Sequence, residues 1–189
     1  MPRTKEDNEE LQALSRQKIL MASFELFALG GYAQTTVESI AVKAGVSKGL
    51  IYHYFGGKQD ILLGLVALAE QQLTDVFPPT ELSGKAFLAR FIDVSFDFIS
   101  KRPKINRLML ALSVQPEVIQ GLKSEMTRLR DEWVAMLVAV FEEMDYDNPE
   151  QEAYMVMATF DGIGLGALTF EDDYPLEKLR DAMKKRYRL

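Results

Sequence analysis

The sequence predicts an all-α fold of about nine helices, and three observations carry that expectation. Apolar residues recur at spacings of three and four along most of the 189 residues, as amphipathic helices require. Helix start and stop signals divide the chain at regular intervals. Strand-like alternation is absent, and no Asn-Gly or Asp-Gly pair joins two strand-like runs into a hairpin.

Taken in order, the first ten residues are polar and are expected to fray. From Leu11 to Leu29, the residues Ile19, Ala22, Leu26, Phe27 and Leu29 follow a helical repeat, and Gly30-Gly31 stops it, because glycine takes a left-handed C-terminal position freely. Thr35-Thr36-Val37-Glu38 has the form of a capping box in which the Thr35 hydroxyl caps and Glu38 reaches back. A short helix then runs to Ala44. Gly45-Val46-Ser47 supplies a sharp turn, an apolar pin and a serine cap for a helix over Lys48–Tyr54. Gly56-Gly57 breaks the chain before a long helix from Lys58 to about Phe77, which Pro78-Pro79 closes. Further helices are expected over Ser83–Ser100, Lys104–Leu112, Pro116–Met144, Pro149–Phe170 and Pro175–Tyr187, with proline at the first helical position in several.

Composition narrows the chemistry. There is no cysteine and a single histidine, His53, so disulfides, thiolate sites and imidazole clusters drop out. No metal-ligand spacing and no Gly-rich phosphate loop is present, so neither a metal, a cofactor nor an enzymatic activity is expected. The longest apolar run, Ile61–Ala69 interrupted by Gly64, is about half of the ~20 residues a membrane span needs. With no signal-peptide pattern at the N-terminus, a cytoplasmic protein that avoids membranes is expected. The net charge is −6, but it is uneven: Leu11–Lys58 holds five basic and two acidic residues, whereas 59–189 holds fifteen basic and twenty-two acidic. A basic head on an acidic body suits a protein that meets a polyanion with one end.

Residues 35–55 have the layout of a helix-turn-helix. Ala41 is small where two helices cross, Gly45 suits positive φ, and Ile40, Val46 and Ile51 fill the space between the helices. An ordinary helical corner would share these features. The wider pattern is more specific: Leu26-Phe27, Gly30-Gly31-Tyr32, Thr35-Thr36-Val37, Ile40-Ala41, Ala44-Gly45-Val46-Ser47-Lys48-Gly49, Ile51-Tyr52-His53-Tyr54-Phe55 and Lys58. Together these strongly resemble the DNA-binding domain of TetR-family transcriptional regulators. Tyr54 departs from the pattern, since many members have histidine there. The resemblance covers about the first third of the chain and implies a helical ligand-binding and dimerisation domain for the rest, hence 11–58 as the DNA-binding domain and 59–189 as the effector-binding and dimerisation domain.

What the resemblance implies for individual residues follows the motif. Thr35 and Thr36 at a helix start serve phosphate, capping, or both. Ser47, Lys48 and Gly49 open the recognition helix, where Lys48 can reach a guanine edge or a phosphate. Tyr52 resembles the phosphate-contacting tyrosine of the family. His53 and Tyr54 face the groove, and Lys58 is a candidate phosphate clamp. Arg3 and Lys5 would suit a minor-groove arm, but the acids at Glu6, Asp7, Glu9 and Glu10 weigh against one.

In the body, Phe87, Phe91, Phe98, Met109, Trp133, Met136, Met157 and Phe160 read as core that also encloses an effector cavity, one suited to apolar or amphipathic molecules. Asp93, Asp97 and Asp161 read as solvated or structural acids. Gly162 and Gly166, with Leu179 and Met183 on the following helix, are the expected dimer contact, two helices from each subunit forming a four-helix bundle. The function that follows is a sequence-specific repressor: a homodimer on double-stranded, palindromic operator DNA, released by a small-molecule effector. The alternative is a helical carrier of lipid-like molecules whose DNA-binding head is vestigial.

Overall fold

The computed structural model describes the backbone of residues 5–76 and 83–189, and the side chains of 10–69 and 83–189. These residues form nine α-helices and no strand: α1 (Lys5–Gly30), α2 (Val37–Ala44), α3 (Lys48–Tyr54), α4 (Lys58–Val76), α5 (Gly84–Lys101), α6 (Pro103–Ser113), α7 (Pro116–Glu143), α8 (Pro149–Phe170) and α9 (Leu176–Arg186). A single 3-10 turn, Glu171–Asp173, follows α8. Arg3, Phe77, Pro78 and Pro79 lie outside the described residues.

Local chemistry explains most boundaries, with two departures. First, α1 does not fray at residue 11 but begins at Lys5; the polar run 5–10 is rich in good helix formers, and its acids suit a helix N-terminus. Second, the cap of α2 is Thr36 and not Thr35. The Thr36 hydroxyl accepts from the Ser39 N–H at 3.0 Å, while Ser39 Oγ, in place of Glu38, accepts from the Thr36 N–H at 3.1 Å. The box is displaced by one residue because Thr35 is directed inward. Gly45 has φ +67°, as the turn requires, and its N–H lies on the Ala41 and Val42 carbonyls to close α2.

The chain forms two compact units. One comprises the described part of Met1–Gln71 together with Ala111–Lys123; the other comprises the described part of Gln72–Leu110 together with Ser124–Leu189. Compactness therefore does not follow a single cut after Lys58. The first fourteen residues of α4 and a remote segment fold with the head, because Ile61, Leu62, Leu112, Val118 and Leu122 bury their side chains with Ile19, Phe27, Ile40, Ile51 and Phe55 in one core.

The second unit has its own core around Leu88, Ile92, Phe96, Leu137, Phe141, Ala153 and Val156. Ion pairs join α5 to α9: Lys184 Nζ meets Asp93 at 2.6 Å and Arg180 meets Asp97 at 3.1 Å. A hydrogen bond from Lys101, with the charges of Lys101 and Arg180, holds the Asp97 carboxyl below its ordinary range. Those two acids are thus structural partners of α9. Between α6 and α8, buried Asn106 donates from Nδ2 to the Gly164 carbonyl at 3.0 Å. A methyl group on Gly164 would come within 3.3 Å of Asn106 Oδ1, so that glycine admits an intrachain neighbour. Gly166 does the same for the ring of Tyr174, which would collide with any Cβ there.

Candidate nucleic-acid interface

The helix-turn-helix consists of α2, the Gly45–Ser47 turn and α3, and its burial is one-sided. Ile40, Ala41 and Ile51 are buried, with Val46 and Tyr54 packed partly against the same core. On α3, Lys48, Gly49, Tyr52 and His53 are exposed. At 3.6 residues per turn these four positions lie within about 140° of one another, opposite Leu50 and Tyr54. Tyr52 is 53% exposed although it is aromatic. A short helix that turns a lysine, a bare backbone position, a phenol and an imidazole outward from a rigid base has the chemistry of a groove-reading helix. Ser47 Oγ accepts from the Leu50 N–H at 3.1 Å, so its first duty is the cap of α3.

Three of the expected contacts go elsewhere. Thr35 is 6% exposed, and its hydroxyl donates to the Gly31 carbonyl at 2.8 Å, with the Leu26 carbonyl at 3.2 Å. It stitches α1 to the following turn and is not presented to phosphate; Thr36 is the exposed member of the pair. Tyr54 lies on the inner side of α3, edge-on to His53 at 5.0 Å. Lys58 is not a free clamp: its Nζ donates to the Tyr32 carbonyl at 2.8 Å and the Ala33 carbonyl at 3.2 Å, and it stands 4.7 Å from the Tyr32 ring centroid.

Tyr32 is the centre of this arrangement. Its ring meets Phe27 edge-on at 4.9 Å, and partial burial raises its phenol above the ordinary value, so it stays neutral at physiological pH. Gln115 and Gln59, which the sequence did not single out, also belong here. Gln115 binds Tyr32 N–H and the Phe27 carbonyl, and Gln59 donates to the Gly121 carbonyl at 2.7 Å. No local pattern marks either glutamine, because the partners just named are 62 to 88 residues away in the chain.

In the second unit, the expected effector residues are partly brought together. Phe91 is the hub, with ring centroids of Trp133 at 5.7 Å, Phe160 at 5.6 Å and Phe87 at 6.4 Å. Phe98 and Met157 lie against the same core, and Met136 is half-buried. Met109 is separate from this group in character, being 45% exposed. The expected dimer residues also divide. Met183 is buried in the core of its own unit and Leu179 packs partly against that core, while Gly166 lies beneath Tyr174. Gly162 alone has open space around it. The exposed face of α8 runs instead through Tyr154, Met155, Ala158, Asp161, Gly162 and Leu165, one stripe at spacings of three and four that is apolar except for Asp161. By length and composition alone Pro149–Asp173 passes for a membrane span, and 28% of its apolar window is buried within the chain, so most of that surface is left open.

Residues 19–65 match the family of bacterial regulatory proteins, tetR family. The HTH-type transcriptional regulator SrpR of Pseudomonas putida is 34% identical over 82 residues, 42% of this chain but only 38% of SrpR. The HTH-type transcriptional regulator BetI 1 of Chromohalobacter salexigens is 29% identical over 168 residues, 84% of this chain and 81% of that protein. Among solved structures, the fold is shared with FadR from Bacillus subtilis in complex with stearoyl-CoA, at a TM-score of 0.68 and 23% identity over 90% of this chain and 96% of that one.

Proposed function

Residues 19–65 match the tetR family of bacterial regulatory proteins, and from that premise we propose that the chain is a repressor of this family: a homodimer that occupies a palindromic DNA operator and leaves it when a small apolar or amphipathic effector binds. The observation that carries this reading is the outward face of α3, Lys48, Gly49, Tyr52 and His53, on a helix whose other face is buried. Tyr52 and Thr36 are assigned to phosphate, and Lys48 and His53 to the groove.

The apolar stripe of α8 supports the dimer. An exposed apolar surface of this kind is usually covered by a partner, and a second copy related by a two-fold axis covers it with itself. Such a dimer presents two recognition helices, which calls for a DNA site with matching symmetry. The aromatic cluster around Phe91 supports an effector that is largely apolar, as does the stearoyl-CoA complex of the structurally similar FadR. The effector releases DNA to the extent that it favours the geometry that does not fit the operator. The protein acts in the cytoplasm, where the operator lies.

The test is selection of genomic fragments by the purified chain near physiological salt, with Tyr52→Ala alongside. Enrichment of an inverted repeat that the variant fails to retain supports the reading. If nothing is enriched, and residual binding is indifferent to Tyr52, the regulator reading fails and the helical carrier takes its place. A finer prediction separates the adjacent threonines. Thr36→Ala removes the α2 cap and should cost about 1 kcal/mol in chemical denaturation, together with DNA affinity. Thr35→Val should destabilise by a similar amount, about 1 kcal/mol for one buried hydrogen bond, and leave affinity unchanged well below its unfolding midpoint. Equal losses of affinity from both variants would return Thr35 to the interface.

A further inference from the structure

Ala111–Lys123 folds with the head although most of α6 and α7 belongs to the other unit. Leu112, Val118 and Leu122 anchor this corner in the head core. Apolar burial holds a segment in place without fixing its direction; hydrogen bonds are directional and set it. At the corner, Gln115 spends its whole amide in that way. Its Oε1 accepts from the Tyr32 N–H at 2.7 Å, and its Nε2 donates to the carbonyls of Phe27 at 2.8 Å and Ala111 at 3.0 Å. The Phe27 carbonyl is among the last four of α1, which the helix cannot satisfy internally. The opposite side of the Tyr32 residue is held by Lys58, which donates to its carbonyl at 2.8 Å. Both backbone polar groups of Tyr32 are therefore gripped by side chains from elsewhere in the head, and the chain runs from there in four residues to Thr36, the cap of α2.

We infer that Gln115 is a positioning residue for DNA recognition: by bridging Tyr32 N–H and the α1 carbonyl end from the α6–α7 corner, it fixes the turn from which α2 and α3 set out. It touches no DNA itself, and the inference rests on the DNA-binding reading given above. Without Gln115 the head keeps its apolar core, but the turn gains freedom, and the helix-turn-helix meets the groove from a spread of orientations.

The test uses the full chain and the DNA fragment that the parent selects. Gln115→Met, close in length and without the amide, should weaken binding to that fragment about tenfold, the loss of one or two directed hydrogen bonds. The Tyr32 amide should exchange its hydrogen about tenfold faster, while the amides of the buried helices keep their protection. Gln115→Glu retains an acceptor for Tyr32, so its Tyr32 amide should exchange near the parental rate and part of the affinity should return. Leu112→Ala, a purely apolar anchor in the same segment, should lower the melting point and leave affinity intact well below it. The inference is overturned if Gln115→Met binds as the parent does, if its Tyr32 amide exchanges at the parental rate, or if protection falls throughout the head. A parent that selects no DNA brings down the regulator reading and this inference with it; a parent that binds and a variant that binds equally brings down the inference alone.

Discussion

Leu165→Arg is expected to yield a folded monomer whose affinity for an inverted-repeat operator is lower by roughly 10²–10⁴-fold, the advantage that linking two half-site contacts confers. Leu165 is 59% exposed at the C-terminal end of the α8 stripe, so a guanidinium there costs the isolated chain little. In a two-fold dimer the same substitution acts twice, placing two bulky like charges in the contact, where the Asp161 carboxylate one turn away offsets only part of their burial cost. Light scattering gives the mass, and fluorescence anisotropy on duplexes carrying one or two half-sites gives the affinity. A single half-site should be bound equally by parent and variant. A variant that stays dimeric would remove α8 from the interface, and a monomer with undiminished operator affinity would remove dimerisation from the mechanism.

Phe141→Ala should cost about 3–5 kcal/mol, the range for emptying a fully buried phenylalanine site. Phe141 is 0% exposed, and its ring lies 5.1 Å from Tyr146 and 5.4 Å from Tyr187. Tyr187 in turn donates from its hydroxyl to Glu152 Oε2 at 3.1 Å, and burial raises its phenol above the ordinary value. Collapse into the cavity is opposed because Tyr187 is held by a polar bond as well as by packing. Trp133, the single tryptophan, packs against the same core, so urea unfolding followed by its fluorescence reports this unit. The midpoint should fall with little change in slope. A loss below about 1 kcal/mol would mean that the site repacks.

The helices were legible because each boundary depends on residues close in sequence. Gly45 at positive φ, Ser47 as the cap of α3 and Pro149 at the head of α8 act within one or two turns, and the apolar repeat reports burial of a face whatever covers it. The α2 cap shows where such reading ends. Thr35 and Thr36 are equivalent as local signals, and the choice between them was made by the Gly31 and Leu26 carbonyls, which draw Thr35 inward. Lys58 is a similar case. Its position at the head of α4 suits a phosphate, but the folded turn offers it two carbonyls.

The glycines of α8 mislead for a related reason. Small residues signal that something approaches closely, without saying whether it comes from the same chain or another. Asn106 and Tyr174 occupy two of the three places, which leaves the apolar side chains of the outer stripe as the surface open to a partner. Met183 is apolar and at helical spacing, as an interface residue would be, and it lies in the core of its own unit.

The sequence by itself determined the all-α class, the order and most of the bounds of the helices and the family whose DNA-binding domain residues 19–65 match, because helix periodicity, caps and the helix-turn-helix pattern are written in residues near one another. Only the tertiary structure decided which threonine caps, where Lys58 is spent, that residues 111–123 fold with the head, and that Gln115 grips a turn 83 residues away. Those outcomes are set by hydrogen-bond geometry and packing between segments distant in the chain, and a side chain's destination there depends on what the fold brings within about 3 Å of it.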